Sequence, residues 1–287
     1  MESPTGYFPF GFLLGFLRLL RDTPHVRVLT YADMPWGDDF DSKHGFPDEL
    51  QAWKRERDPN LIYVLLQHDV DSNPALSWHA VKAELDMGVP SNVMLFNRRV
   101  DRARFKSTGD VALTEYDVDD YLLRLAQQRG FVIGYHQNAY EQSGYDLETA
   151  QRVFEEDVAA LRKRGFKAEF FSPHGGVYGP GRINNHSLPV PPSLARSVRW
   201  VANTRTPRLR GSFSDGGISG KRLDPEGRDL RRFVQGWQRG ERYRVLLHPQ
   251  YYHTPCHVSE NLSGTSWYGS LLRACESGKT GWEDVAL

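Results

Sequence analysis

The amino-acid sequence predicts an α/β fold with parallel strands, and two observations support this prediction. Three helical segments each end at a glycine, and a short apolar strand follows each glycine within a few residues. Four further apolar segments have the composition of strands, which brings the expected total to about seven. This alternation predicts an irregular (β/α)7 barrel with the active site at the C-terminal strand ends. A doubly wound open sheet is the alternative, although no glycine-rich phosphate loop follows the first strand.

The elements are assigned in chain order. Residues 8–17 are predicted to form an amphipathic helix packed on the domain. Strands are predicted at residues 26–30, 62–66, 92–96, 131–135, 168–171, 199–202 and 244–247. Helices are predicted at residues 75–87, 118–129 and 147–164, each ended by a glycine, which adopts a left-handed conformation without strain. Residues 175–192 and 207–229, rich in Gly, Pro and Arg, are predicted to be loops over the active face.

The length and charge of the chain limit the number of domains and the classes of partner that we expect. Its 287 residues are predicted to form one domain, with residues 1–60 supplying an N-terminal helix and first strand packed on the barrel. Lys and Arg together number 36, as do Asp and Glu, so no broad field attracts nucleic acid or an anionic membrane. The apolar run at 8–17 is too short to span a bilayer, and no stable membrane insertion is expected.

The chain contains two cysteines, Cys256 and Cys275. Two cysteines do not form a disulfide framework, which favours a cytoplasmic location, with a single periplasmic disulfide as the alternative.

Polar residues stand directly after four of the predicted strands: Asp69 and Asp71, His136, His174, and His248. In a barrel of parallel strands all of them lie at the same mouth. Side chains alternate along a strand, so the carboxylates of Asp69 and Asp71 point to the same side and repel each other unless a cation or a proton separates them. Imidazole and carboxylate together suit zinc or another borderline divalent ion, so we expect one divalent metal, with zinc first.

Four short motifs resemble those of a known family in their order along the chain: His68-Asp69-Val70-Asp71, Ile133-Gly134-Tyr135-His136, Ser172-Pro173-His174-Gly175 and Leu246-Leu247-His248-Pro249. The family is the polysaccharide deacetylase (NodB-homology, carbohydrate esterase) superfamily, and the chain looks most like the WbmS-like branch encoded in lipopolysaccharide O-antigen loci. The resemblance covers roughly residues 60–255. It implies an irregular (β/α)7 barrel, one divalent metal that is usually zinc, and hydrolysis of an N-acetyl group on a sugar, here in O-antigen biosynthesis.

The resemblance also implies residue roles. Asp69 would be the general base, Asp71 and His136 metal ligands, and His248 the general acid that protonates the leaving amine. The family's second histidine ligand is replaced by Tyr140, a poor zinc ligand, and its base-orienting arginine by Ser172. Either the third ligand comes from elsewhere in the chain, with His174 the first choice and Glu141 the second, or the metal site is weakened or unused.

The remaining site residues would contact the sugar. Tyr251 and Trp267 are expected to stack on the sugar ring, and Asn138 and Tyr140 to bond the substrate. Two other functions stay open: a catalytically silent sugar-binding homologue, and an amidohydrolase acting on a non-sugar C–N bond.

Overall fold

A computed structural model describes residues 8–34, 52, 55–71, 74–114, 116–175, 179–201, 209–215, 230–253, 282, 285 and 287. The chain divides into two compact units. The first comprises Met1–Asp33, Ala52–Ser91 and Arg208–Leu287, and the second Met34–Gln51 and Asn92–Pro207. The single domain over residues 1–287 stays a prediction.

Strands and helices alternate along much of the described chain. The strands are β1 (Phe8–Pro9), β2 (Val26–Leu29), β3 (Ile62–Val70), β4 (Asn92–Leu95), β5 (Arg99–Val100), β6 (Leu113–Thr114), β7 (Val132–Gln137), β8 (Phe170–Pro173), β9 (Arg199–Trp200), β10 (Gly211–Ser214), β11 (Arg242–Leu247) and β12 (Tyr252–His253). The helices are α1 (Phe10–Asp22), α2 (Pro74–Met87), α3 (Arg102–Thr108), α4 (Asp120–Gln128), α5 (Ala139–Gln142), α6 (Leu147–Lys163) and α7 (Leu230–Gln235).

The first unit is built around β3, which is buried along its whole length, as its continuous apolar run predicts. Strands β2 and β11 pair with it in parallel, and β10 pairs in parallel with β11. Leu247 lies opposite His68, so β11 and β3 end at the same level. The residues that follow these two strands are thereby placed side by side.

Helix α1 covers this part of the sheet with an apolar stripe. Phe12, Leu13, Phe16 and Leu17 recur at helical spacing and are buried in one core with Val64 and other strand residues. The ring of Trp282 lies 5.1 Å from the rings of both phenylalanines, and its indole N–H donates to the carbonyl oxygen of Phe12 over 2.8 Å. The amphipathic helix predicted for residues 8–17 is therefore present, but it spans Phe10–Asp22, because Phe8–Pro9 form β1.

The second unit has its own set of parallel strands, in which β4 pairs with β7, β7 with β8, and β8 with β9. Helix α6 packs behind them, and the ring of Phe154 lies 5.3 Å from that of Tyr135 and 5.0 Å from that of Phe171. His136 lies opposite Ser172 in the register of β7 and β8. The strand ends of this unit therefore also bring histidines together.

The predicted fold class, α/β with parallel strands that end at the candidate site residues, is confirmed, and it is the arrangement that the (β/α)7 barrel requires. Each of the seven predicted strands has a counterpart, and β10 is a further strand inside the segment predicted to be a loop. The three predicted helices end before Gly88, Gly130 and Gly165, whose φ angles are 69°, 92° and 94°.

No helix in the described part of the chain combines the length and apolar character needed to cross a bilayer.

A buried carboxylate, Asp157, organises the polar interior of the second unit. Three neutral groups donate hydrogen bonds to it: the hydroxyl of Tyr135 over 2.7 Å, the amide of Gln142 over 2.6 Å and the amide of Asn97 over 2.8 Å. The guanidinium of Arg98 also lies 3.5 Å from Oδ1. All of these partners are donors, so this position requires a group that accepts hydrogen bonds at both oxygens.

We expect Asp157→Asn to lower the free energy of unfolding by about 2 kcal/mol, because its amide NH₂ would face donors and leave one of them unpaired. The matched control is Glu156→Gln, the neighbouring helix position, whose side chain is exposed. It should change stability by less than about 0.5 kcal/mol. Urea denaturation of both variants measures the difference as a shift of the midpoint at constant slope. Equal shifts in the two variants would contradict this account.

Candidate active site

Two acidic residues of the first unit stand at the end of β3. Gln67 and Asp69 share one face of the strand, since the Gln67 side-chain amide donates to Asp69 Oδ1 over 2.7 Å. Asp71 follows directly, and its Oδ2 lies 3.5 Å from Nε2 of His248. The predicted pair of carboxylates is therefore placed next to the predicted general acid.

His68 belongs to the same motif but points away from these carboxylates. Its Nε2 lies 2.5 Å from Oε1 of Glu84 on α2, and the Ser91 hydroxyl donates to the other oxygen of Glu84 over 2.7 Å. All three residues are completely buried. His68 thus has a structural role in anchoring β3 to α2.

His248 is held by Asp215, the buried residue that follows β10. Its Nδ1 lies 2.5 Å from Asp215 Oδ1, and its backbone N–H donates to Asp215 Oδ2 over 2.8 Å. Burial alone would lower the pKa of His248, but the charge and hydrogen bond of Asp215, with further contributions from Asp71 and Asp69, raise this pKa from 6.5 to about 10. The imidazole therefore keeps its proton at neutral pH and directs Nε2 toward Asp71.

In the second unit, His136 is fixed by the neighbouring strand. Its Nδ1 lies 3.0 Å from the backbone oxygen of Ser172 and 2.9 Å from its hydroxyl oxygen. An Nδ1–H that donates to the backbone oxygen makes Nε2 the nitrogen that can bind a metal. Ser172, which stands where the resemblance predicts an arginine, thus orients His136.

His174 lies beside His136, with ring centroids 5.0 Å apart and one nitrogen of each within 4.8 Å of the other. Its Nδ1 lies 2.7 Å from Oε1 of the buried Glu141. Asn185 donates to Glu141 over 2.8 Å and to the backbone oxygen of His174 over 3.1 Å. Glu141, the second choice as a ligand, is therefore a hydrogen-bond partner of His174.

Glu141 is ionised in these surroundings. Burial would raise its pKa, but the hydrogen bond and charge of His174, followed by Arg102 and Asn185, bring this pKa below 4.5. A carboxylate behind an imidazole fixes the ring and increases the basicity of its other nitrogen.

Arg102 is the one cation that contacts this histidine among the described residues. Its Nη2 lies 2.5 Å from Nε2 of His174, and its Nε lies 3.3 Å from Glu141 Oε2. The same Nη2 lies 2.9 Å from Nδ1 of His174, so the guanidinium lies against the ring, close to both of its nitrogens. The Arg102 side chain is 38% exposed.

The donor chemistry of these residues fits a divalent ion. His136 and His174 each have Nδ1 engaged, and one nitrogen of each lies within 4.8 Å of the other. Imidazole nitrogens suit zinc or a related borderline ion.

The predicted sugar-contacting residues have different surroundings. The ring of Tyr251 lies 5.4 Å from that of His248. Asn138 donates to the backbone oxygen of Arg98 and accepts from Gln142, and the ring of Tyr140 stacks on Tyr145. Trp267 lies outside the described residues, and these four substrate-contacting roles stay predictions.

Four residues that contact the predicted ones are not predicted from the sequence: Gln67, Arg102, Asn185 and Asp215. Asp215 carries a signal of the kind that identifies the others, because Phe213 and Ser214 end a strand just before it. That strand lies in a segment predicted to be a loop, so the aspartate does not stand out. Arg102 and Asn185 carry no comparable signal, since they lie outside the strand ends.

Known proteins provide little further support for the site. No protein-family model matches the sequence, and no curated protein matches it. Among solved structures, the chain is similar to the peptidoglycan deacetylase PdaC from Bacillus subtilis, determined as a mutant, with 13% sequence identity and a TM-score of 0.37. The similarity covers 79% of this chain and 93% of that one. Similarity at this level carries no argument about chemistry, which is inferred below from the residues of this chain.

Proposed function

We propose that this chain is a metal-dependent deacetylase of the polysaccharide deacetylase superfamily that hydrolyses an N-acetyl group on a sugar. One observation carries the proposal. The carboxylates of Asp69 and Asp71 lie near the imidazole of His248 at the ends of two adjacent parallel strands, and His248 is in turn bonded to Asp215. Amide hydrolysis needs a group that accepts a proton and a group that donates one. This arrangement provides both.

In this proposal Asp71, His136 and His174 hold one divalent ion, with zinc as the first expectation. Such an ion, when bound, polarises the amide carbonyl and makes water a better nucleophile. Ser172 and Glu141 keep the two imidazoles in the tautomer that a metal ligand requires.

The chain's own residues then move the protons. Asp69 removes a proton from the attacking water as the new C–O bond forms. His248 donates a proton to the nitrogen as the C–N bond breaks, because an amine anion is not a viable leaving group. Asp215 holds the imidazole in place and stabilises its protonated form. The products are acetate and a free amino sugar.

The identity of the sugar is a finer part of the proposal and depends on the motif resemblance alone. On that ground we propose a sugar of surface polysaccharide biosynthesis, such as the O-antigen. The cytoplasmic site of action that we propose rests instead on the two cysteines of the chain.

The test measures acetate released from N-acetylglucosamine, its UDP-linked form and chitotetraose by protein loaded with Zn²⁺ and by protein treated with chelator. We expect acetate release from an N-acetyl sugar only in the presence of metal. Release from acetanilide alone would identify an amidohydrolase acting on a non-sugar bond.

A second candidate, a catalytically silent sugar-binding homologue, is favoured by the position of Arg102 against His174. Zinc titration followed by calorimetry separates the two candidates. Binding of sugar without uptake of zinc, and without acetate release, would establish the binding protein and overturn the deacetylase.

We expect Glu141→Gln to weaken zinc binding at least tenfold, because partners of ligating histidines typically contribute 10- to 100-fold in affinity. The substitution removes the charge that supports His174 and also leaves Arg102 without its carboxylate partner. The matched control is Glu148→Gln at an exposed position of the same unit. Competition with a chelating dye measures the zinc affinity of both variants. Equal zinc affinity in Glu141→Gln and wild type would show that Glu141 does not support a metal ligand.

A further inference from the structure

We propose that Gln67 is a positioning residue that fixes the Asp69 carboxylate, and that Tyr31 and Arg244 hold Gln67 in the orientation this requires. The inference rests on the proposed function, in which Asp69 accepts a proton. It concerns four residues of the first unit, brought together from β3, from β11 and from the turn that follows β2.

The four side chains form a continuous series of hydrogen bonds. The Arg244 guanidinium bonds the hydroxyl of Tyr31, which donates to Oε1 of Gln67 over 2.6 Å. The amide nitrogen of Gln67 donates in turn to Oδ1 of Asp69 over 2.7 Å. The side chains of Tyr31, Gln67 and Arg244 are all buried. Such a series has little freedom to rearrange, because each buried polar group would lose a partner.

The direction of the bonds fixes the orientation of Gln67. Its amide has an oxygen that only accepts and an NH₂ group that only donates, and an ionised carboxylate can only accept. Burial raises the pKa of Tyr31 to about 12, although Arg244 lowers it, so the phenol keeps its proton. Because Tyr31 donates to the oxygen of the amide, the nitrogen must face Asp69.

Arg244 anchors the outer end of the series. It lies opposite Leu65 in the register of β11 and β3, and its Nε donates to the hydroxyl of Ser212 over 3.1 Å. A guanidinium carries its charge at any pH a protein meets. The series therefore leads from a fixed cation to the carboxylate through two neutral groups, with every hydrogen bond donated toward Asp69.

This arrangement has a consequence for the proposed reaction. The bond from Gln67 to Oδ1 holds the plane of the Asp69 carboxylate. Proton transfer depends on donor and acceptor being placed within hydrogen-bond reach. A carboxylate that lost the Gln67 bond could rotate and present neither oxygen correctly.

The test compares kcat, KM and zinc content in Gln67→Met and Tyr31→Phe. Methionine keeps the length and burial of Gln67 but cannot donate, and we expect kcat to fall about 10- to 100-fold with KM and zinc content nearly unchanged. Tyr31→Phe leaves Gln67 in place without its partner, and we expect a smaller loss, roughly fivefold. The matched control is Ser91→Ala, which removes another buried hydroxyl bond of the same unit, that to Glu84. It should leave kcat unchanged.

A double variant distinguishes a positioning role of Gln67 from a general effect on stability. If Gln67 acts only through Asp69, combining Gln67→Met with Asp69→Asn should cost no more activity than Asp69→Asn alone. Wild-type kcat in Gln67→Met, or a double variant that loses the product of both single effects, would overturn the inference.

Failure of the proposed function gives a different result. In that case wild-type protein releases no acetate from any N-acetyl sugar, and crystal structures of wild type and Gln67→Met then decide the inference. A rotated Asp69 carboxylate in the variant supports it, and an unchanged carboxylate overturns it.

Discussion

Asp69→Asn is expected to reduce acetate release by about 10² to 10⁴-fold, the usual cost of removing a general base. Asparagine has nearly the same shape as aspartate, and its side-chain oxygen can still accept the hydrogen bond from Gln67. What it lacks is the ability to accept a proton from water. The fold and the zinc content should therefore stay close to those of wild type. Activity, zinc content and stability are measured on one preparation by kcat, metal analysis and urea unfolding.

The matched control is Asp86→Asn, at an exposed position on α2 in the same unit. It makes the same chemical change away from the site and should retain full activity. If Asp69→Asn instead loses zinc and recovers turnover when zinc is added, Asp69 is a metal ligand and its assignment as the base is wrong.

His248→Gln is expected to reduce kcat by a similar factor, about 10² to 10⁴-fold, with little change in KM or zinc content. Glutamine can still bond Asp215, but it holds no proton that it can transfer to the leaving nitrogen. Protonation of that nitrogen occurs only in the transition state, so its loss lowers the rate and leaves ground-state binding intact.

The measurement is thermal unfolding and turnover on the same sample. A lower midpoint with unchanged activity per folded molecule would show that His248 has a structural role only. Asp215→Asn is the companion variant, because it removes the charge that stabilises the protonated ring, while the side-chain oxygen can still accept from His248 Nδ1. The hydrogen bond from the His248 backbone N–H to the second oxygen is lost. Activity below wild type in Asp215→Asn, at unchanged KM, would support the pair as a unit.

The strands and helices were predictable because burial imposes a simple pattern on sequence. A strand covered on both faces, such as Ile62–Val70, must be apolar throughout, and a helix that ends in the left-handed conformation needs a residue like Gly88. The strand Gly211–Ser214 is not predicted from the sequence, because Phe213 is its one buried apolar residue. Its pairing with β11, and not its own composition, makes it a strand.

The candidate site was predictable in part for the same reason. Asp69, His136 and His248 follow apolar strands and could be recognised from position along the chain. The residues that hold Gln67 could not, since Tyr31 lies 36 residues from Gln67 in sequence and Arg244, which bonds Tyr31, is brought near by the register of β11 with β3. The sequence indicates Glu141 as a candidate ligand, but its contact with Nδ1 of His174 is set by side-chain packing and cannot be predicted from the sequence.

The pairing of β3 with β11 determines when the first unit can be completed during synthesis. Val70 and Arg242 are separated by about 170 residues, which a ribosome adds in roughly 10 to 35 s at 5 to 20 residues per second. Throughout that interval the apolar residues Val64 and Leu66 lack the strand that covers them in the finished protein. The second unit, most of which is one uninterrupted stretch, has all its strands available well before. The edge of β3 that pairs with β11 therefore stays unpaired in the nascent chain from the synthesis of Val70 until that of β11.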